Sequence, residues 1–253
     1  MRLFFRVALI SACFSVFGST VDERSSFWLI QEDFVKFGKK ELYESNKSQW
    51  LKGFNEGLES RGVWRQKKAQ FSIIGMQGLD QPQYIYLTPL EGKEGVVDFF
   101  LKKDKYERTL ANEKNQLNQI LLSSMNFSVD SLHLYLKDLS YPQSIDTMSW
   151  SDYPFYQYWV FGIMPGFDDD FEAHLKKVLG NLQSFPDACC RVWKVLLGAD
   201  TPKYVVLVGA KEESSLEKSA SSLSFMEGNI KDIIRNQREG RAIFKGNLSA
   251  INR

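Results

Sequence analysis

Gly78-Leu79-Asp80-Gln81-Pro82-Gln83-Tyr84-Ile85-Tyr86-Leu87 returns in the second half of the chain as Gly198-Ala199-Asp200-Thr201-Pro202-Lys203-Tyr204-Val205-Val206-Leu207. Each copy reads as a strand, a Gly-x-Asp-x-Pro turn and a second strand, the signature of a β-hairpin. A hairpin stated twice implies two copies of one unit.

Working outward, each hairpin has the same neighbours. An aromatic-rich strand opens each copy, Phe27 to Val35 and Phe155 to Ile163, and a Gly turn follows at Phe37-Gly38-Lys39 and Pro165-Gly166-Phe167. An amphipathic helix comes next. In the second copy its stripe is Phe171, Leu175, Val178, Leu182 and Phe185 at steps of three and four, with Asp169 and Glu172 spaced as a capping box. In the first copy the stripe is Tyr43, Trp50, Phe54 and Leu58, with Gly62 as C-cap. The acidic triplet Asp168 to Asp170 suits a helix N-terminus better than a metal, because consecutive helical positions splay apart.

After the hairpin, a second helix is expected through Tyr106, Leu110, Leu117, Ile120 and Leu121, and through Leu223, Ile230, Ile233 and Ile234. A last strand closes each copy, Leu132 to Leu139 and Ala242 to Leu248. The spacing between matched positions shrinks from Gly38/Gly166 through Gly78/Gly198 to Leu139/Leu248, so the second copy has shorter loops. The expected fold class is α+β: two tandem ferredoxin-like β-α-β-β-α-β units, at 27–140 and 154–250, joined by a linker at 141–153. Tyr84, Tyr86, Tyr135, Tyr204, Val206 and Phe244 make the second face of each sheet too apolar for water. The two antiparallel sheets are therefore expected to pack into an intramolecular α+β barrel.

The chain has 253 residues, 43% hydrophobic and 25% charged, with a net charge of +1. Such a balance gives no footprint for nucleic acid. Residues 1–18 read as a signal peptide: a basic start (Arg2, Arg6), an apolar run from Val7 to Phe17, then small residues with cleavage before Ser19. The expected location is periplasmic, secreted or surface-attached. A membrane enters only if the leader is retained or if Cys13, in a lipoprotein-like Ile10-Ser11-Ala12-Cys13, is lipidated. Cys189 and Cys190 are neighbours on a strand and point to opposite faces, which argues against a disulfide between them. Asn46, Asn126 and Asn247 begin Asn-x-Ser sequons.

Candidate chemistry clusters in the first copy. Alternation sends Leu132, Leu134 and Leu136 to the helices and leaves His133 and Tyr135 facing between the sheets, with Tyr84 and Tyr86. In the second copy Ala242 and Phe244 take the places of His133 and Tyr135. Glu32 joins the set if its register turns it inward, in which case Asp33 faces the helices; the sequence leaves both registers open. Arg191 and Trp193 share one face, where an Arg beside an indole can clamp a planar anion.

This order of elements resembles the dimeric α+β-barrel superfamily in a fused tandem form, similar to the antibiotic-biosynthesis-monooxygenase-like and NIPSNAP-like families. The resemblance covers roughly residues 27 to 250 and rests on pattern, with no catalytic motif. It implies monooxygenase- or isomerase-type chemistry as one reading. Superfamily members that degrade haem use an Asn, a Trp and a His; here His133 and His174 do not sit where that transfer holds, so no cofactor and no metal are expected. The leading expectation is a monomeric exported protein that binds a small apolar or aromatic molecule. The alternatives are an enzyme using His133 and Tyr135 for proton transfer, and an interaction protein with a solid core.

Overall fold

The computed structural model describes residues 27–60, 69–74, 84–90, 92, 94–97, 115–141, 150–198 and 200–246. The leader with Cys13, Gly62, the first hairpin turn, Tyr106, Leu110, Leu248 and the Asn247 sequon lie outside them.

The first half contributes β1 (Phe27–Val35), α1 (Lys40–Ser60), β2 (Ala69–Ile74), β3 (Tyr84–Leu90), α2 (Asn115–Ser124) and β4 (Met125–Tyr135). The second contributes β5 (Phe155–Ile163), α3 (Asp168–Leu179), β6 (Ala188–Leu197), β7 (Lys203–Ala210), α4 (Glu213–Ser221) and β8 (Ile234–Phe244). The protein is α+β, with every strand pairing antiparallel. Among the described residues the strands hydrogen-bond in the order β1-β3-β2-β8-β5-β7-β6-β4, and β4 returns to β1. Each half thus holds its strands in one order, β4-β1-β3-β2 and β8-β5-β7-β6. The halves meet edge to edge, with β2 on β8 and β4 on β6, so none of these eight described strands has an open edge.

The tight turns after β1 and β5 have a physical cause. Gly38 and Gly166 sit at φ 71° and 89°, a region costly for any residue with a Cβ. Helix α3 buries Phe171, Leu175, Val178 and Leu179 against the outer sheet residues Phe161, Ile163, Val192, Tyr204 and Val206. Cys190 belongs to this outer layer and Cys189 to the inner face; both thiols are free and buried.

Several boundaries differ from the sequence reading. β8 begins at Ile234, in a stretch whose apolar spacing mimics a helix; the helix itself is the earlier Glu213–Ser221, followed by a 3-10 turn at Gly228–Asp232. β4 spans Met125–Tyr135, and Lys137–Leu139 form a 3-10 turn in place of the strand end. Its first residues alternate apolar Met125, Phe127 and Val129 with polar Asn126, Ser128 and Asp130 and are largely exposed. The expected capping box of α3 is absent: the N-cap is Phe167, with no side-chain cap. Asp168 and Glu172 instead accept hydrogen bonds from the Tyr204 hydroxyl (2.9 and 2.6 Å) and pair with Lys194.

Candidate functional site inside the barrel

Strand register decides which residues face inward. Trp28 lies opposite His133, and Tyr156 opposite Ala242. Trp28, Ile30, Leu87, Tyr135, Tyr156, Tyr158, Val160, Cys189, Trp193, Leu207 and Ala242 pack together as the inner core. Alternation from these positions turns Glu32, Ser131, His133, Arg191, Lys203 and Arg238 to the same face.

One end of this interior is packed with aromatic rings. Trp28 contacts Tyr135, Trp150 and Trp193 at centroid distances of 6.4, 6.2 and 5.8 Å, and Tyr135 contacts Trp193 at 5.9 Å. Such tilted and edge-on pairs add about 0.5–1.5 kcal/mol each to the burial of the rings. Arg191 lies in this layer, 1% exposed, and donates from Nη1 to the carbonyls of Tyr141 (3.1 Å) and Cys190 (2.9 Å).

The other end is polar. Glu32 of β1 pairs with Arg238 of β8, two strands that are not neighbours in the ring, so this ion pair spans the interior. Burial raises the Tyr158 hydroxyl, opposed by Arg238 and reinforced by Glu32, to about 12. Between the two ends lies His133, 2% exposed, with Nε2 2.7 Å from the Ser131 hydroxyl. Burial, followed by the Lys203 ammonium, lowers its imidazole to about 3, so it is neutral at physiological pH.

Five buried polar atoms have no hydrogen-bond partner among the described residues: Trp28 Nε1, Trp193 Nε1, Tyr135 Oη, His133 Nδ1 and Arg238 Nε. All five belong to inward-facing residues. Each such atom costs about 1–3 kcal/mol when left unpaired, so their concentration on one face calls for a partner that the described residues do not supply.

The interior brings together Glu32, His133, Tyr135, Arg191 and Trp193. Tyr84 and Tyr86 are not among them, which corrects their expected inward placement. They lie opposite Asp33 and Gln31 in the β1–β3 ladder, on the helix side. There the Tyr84 hydroxyl donates to Glu44 (2.7 Å), and Tyr86 meets the Tyr43 hydroxyl, which itself donates to Asp33. Both tyrosines face helix α1 because that helix offers them polar partners. Sequence reasoning missed Arg238, Tyr158, Lys203 and Ser131. Arg238 was hidden by reading its strand as helix, while the alternation already applied to His133 reaches Ser131.

Cys189 is inward but chemically quiet, its thiol pushed up by burial to about 12.

No protein-family model and no curated protein matches the sequence. Solved structures do. A protein from Fusobacterium nucleatum provisionally described as a monooxygenase superposes with a TM-score of 0.58 at 12% identity, over 92% of this chain and 100% of that one. An anthrone oxidase-like protein gives 0.55 at 8% identity, over 88% and 92%. Chlorite dismutase from Candidatus Nitrospira defluvii gives 0.54 at 7%, again over 88% and 92%. At these identities the likeness is one of fold alone.

Proposed function

We propose that the chain is an exported tandem duplication, closed into one intramolecular barrel, that binds a small aromatic molecule in the barrel interior. The observation that carries the binding role is the set of five unpartnered polar atoms on one aromatic-lined face. Duplication is supported by a contact made twice. Tyr84 donates to Glu44, Tyr204 donates to Glu172, and each Glu stands at the same step from its turn glycine (38 to 44, 166 to 172). Export is supported by the basic, apolar and small-residue order of residues 1–18.

Native mass spectrometry of the mature protein from its own host tests this reading. A monomer with a reproducible small-molecule adduct is expected. A bare protein whose melting temperature does not move with any member of a panel of planar aromatic compounds overturns it.

A second reading, catalysis of monooxygenase or isomerase type, draws on the His133–Ser131 contact and on the names borne by the similar structures. An imidazole lowered to about 3 is a weak proton acceptor at neutral pH, so binding is the stronger reading. His133→Ala separates the two: a carrier keeps its ligand, whereas an enzyme keeps its ligand and loses turnover.

A further inference from the structure

We infer that the interior site is built for an anion: a small planar aromatic acid whose carboxylate lies between Arg238 and Lys203 and whose ring lies on the inner wall. This rests on the interior-binding reading and adds the chemical class of the ligand. Two independent observations carry it.

The first is charge. At the polar end of the inner face, strand register places one acid, Glu32, and two bases, Lys203 and Arg238, among the described residues. Glu32 engages Arg238 through Nη2, while the Nε of the same guanidinium stays unpartnered. Lys203 has no ion pair among the described residues. His133 adds no charge at neutral pH and no negative partner for Lys203. The positive excess therefore sits at the partly exposed polar end of the interior, where a charge acts more strongly than in open water.

The second is the hydrogen-bond inventory. Trp28 Nε1, Trp193 Nε1 and Arg238 Nε are donors with no acceptor capacity, while His133 Nδ1 and Tyr135 Oη accept or donate according to their partner. A hydrocarbon would leave all three obligate donors unpaired. A carboxylate between Arg238 and Lys203 supplies the acceptor that Arg238 Nε lacks and the missing negative charge, and polar atoms on the ring can meet the indole N–H groups of Trp28 and Trp193 at the other end. Trp28, Tyr156, Tyr158 and Trp193 supply the aromatic surface for its ring.

The test is isothermal titration of the mature protein with 2-naphthoate and with 2-naphthamide, which share a ring and differ in charge. Naphthoate is expected to bind at least about tenfold more tightly than the amide, as a charge-assisted hydrogen bond implies. Lys203→Gln and the paired change Glu32→Gln with Arg238→Gln should each weaken naphthoate about tenfold and leave the amide unchanged. The paired change leaves no buried charge alone, and Lys203 makes no ion pair, so these variants retain the fold. Equal binding of the two compounds, or a preference for naphthoate that survives both variants, overturns the anion and leaves the interior site standing. If neither compound binds to the wild type, the anion proposal falls, and the interior site falls with it only if the wider panel of planar aromatics also fails to bind.

Discussion

His133 stays neutral because β4 turns it into the barrel, beside Ser131 and within reach of the Lys203 charge. This has a consequence for stability. In the unfolded chain a histidine takes up a proton near pH 6.5, whereas the folded one does so near 3. Between those values the unfolded state binds the extra proton, so stability is fully present above about pH 6.5 and declines as pH falls. The decline amounts to on the order of 2 kcal/mol by pH 5. Urea unfolding at pH 7 and pH 5 should therefore show a larger loss for the wild type than for His133→Gln. Equal losses would mean that the imidazole protonates in the folded protein as it does in water. The inward placement of His133 could be read from Leu132 and Leu134 alone, because a leucine on either side of a polar residue in a strand leaves little choice. Glu32 could not be read this way. Its strand, Phe27 to Val35, is apolar on both faces, and alternation carries no signal where helix and barrel both demand hydrophobic residues.

Elements are tied to one another by the acids that the alternation conceals. Asp33 of β1 is fully buried and accepts from four side chains: Lys47 and Tyr43 of α1, Ser128 of β4 and Gln31 of its own strand. Burial alone would raise its carboxyl. The Lys47 ammonium and the Ser128 and Tyr43 hydroxyls outweigh that and hold it below the ordinary value. One carboxylate thus clamps a helix and two strands. Asp33→Asn strands the Lys47 charge, itself 6% exposed, and should cost about 3–5 kcal/mol in denaturant unfolding. Adding Lys47→Met should restore a large part of that loss; no recovery would mean that the packing of Asp33, and not its charge, is what matters. The paired contacts Tyr84–Glu44 and Tyr204–Glu172 fix the same helix-on-sheet geometry in the two halves. Tyr84→Phe and Tyr204→Phe should each lower stability by roughly 1 kcal/mol by the same measurement. Both tyrosines read as interior residues from sequence because Tyr is apolar in its ring. Their true face is set by an acid on a helix, and only three-dimensional pairing brings that acid near. The helix expected through Leu223, Ile230, Ile233 and Ile234 failed for a related reason: three isoleucines at short intervals fit a helical face and equally fit a turn feeding a strand.

At the scale of the whole molecule, the ring order makes each half the completion of the other, since β4 needs β6 and β8 needs β2. The halves are alike in topology but not interchangeable. In the ladders Glu32 lies opposite Val129, and Val160 lies opposite Arg238, so the position of Glu32 is held by Val160 in the other half and that of Arg238 by Val129. The ion pair across the interior consequently forms only between unlike halves. If residues 27–141 and 150–246 are produced as separate chains, two second halves would bring Arg238 against a valine, and two first halves would do the same to Glu32. Mixing them should yield the unlike pair above the statistical proportion. Because both side chains are partly exposed, 27% and 21%, the bias is modest, about three- to tenfold. Native mass spectrometry of the mixture measures the proportions directly. Replacing Glu32 and Arg238 together by valine should move the mixture towards statistical pairing. A bias that persists in that double variant would place the discrimination in the strand seams instead of in the charge pair.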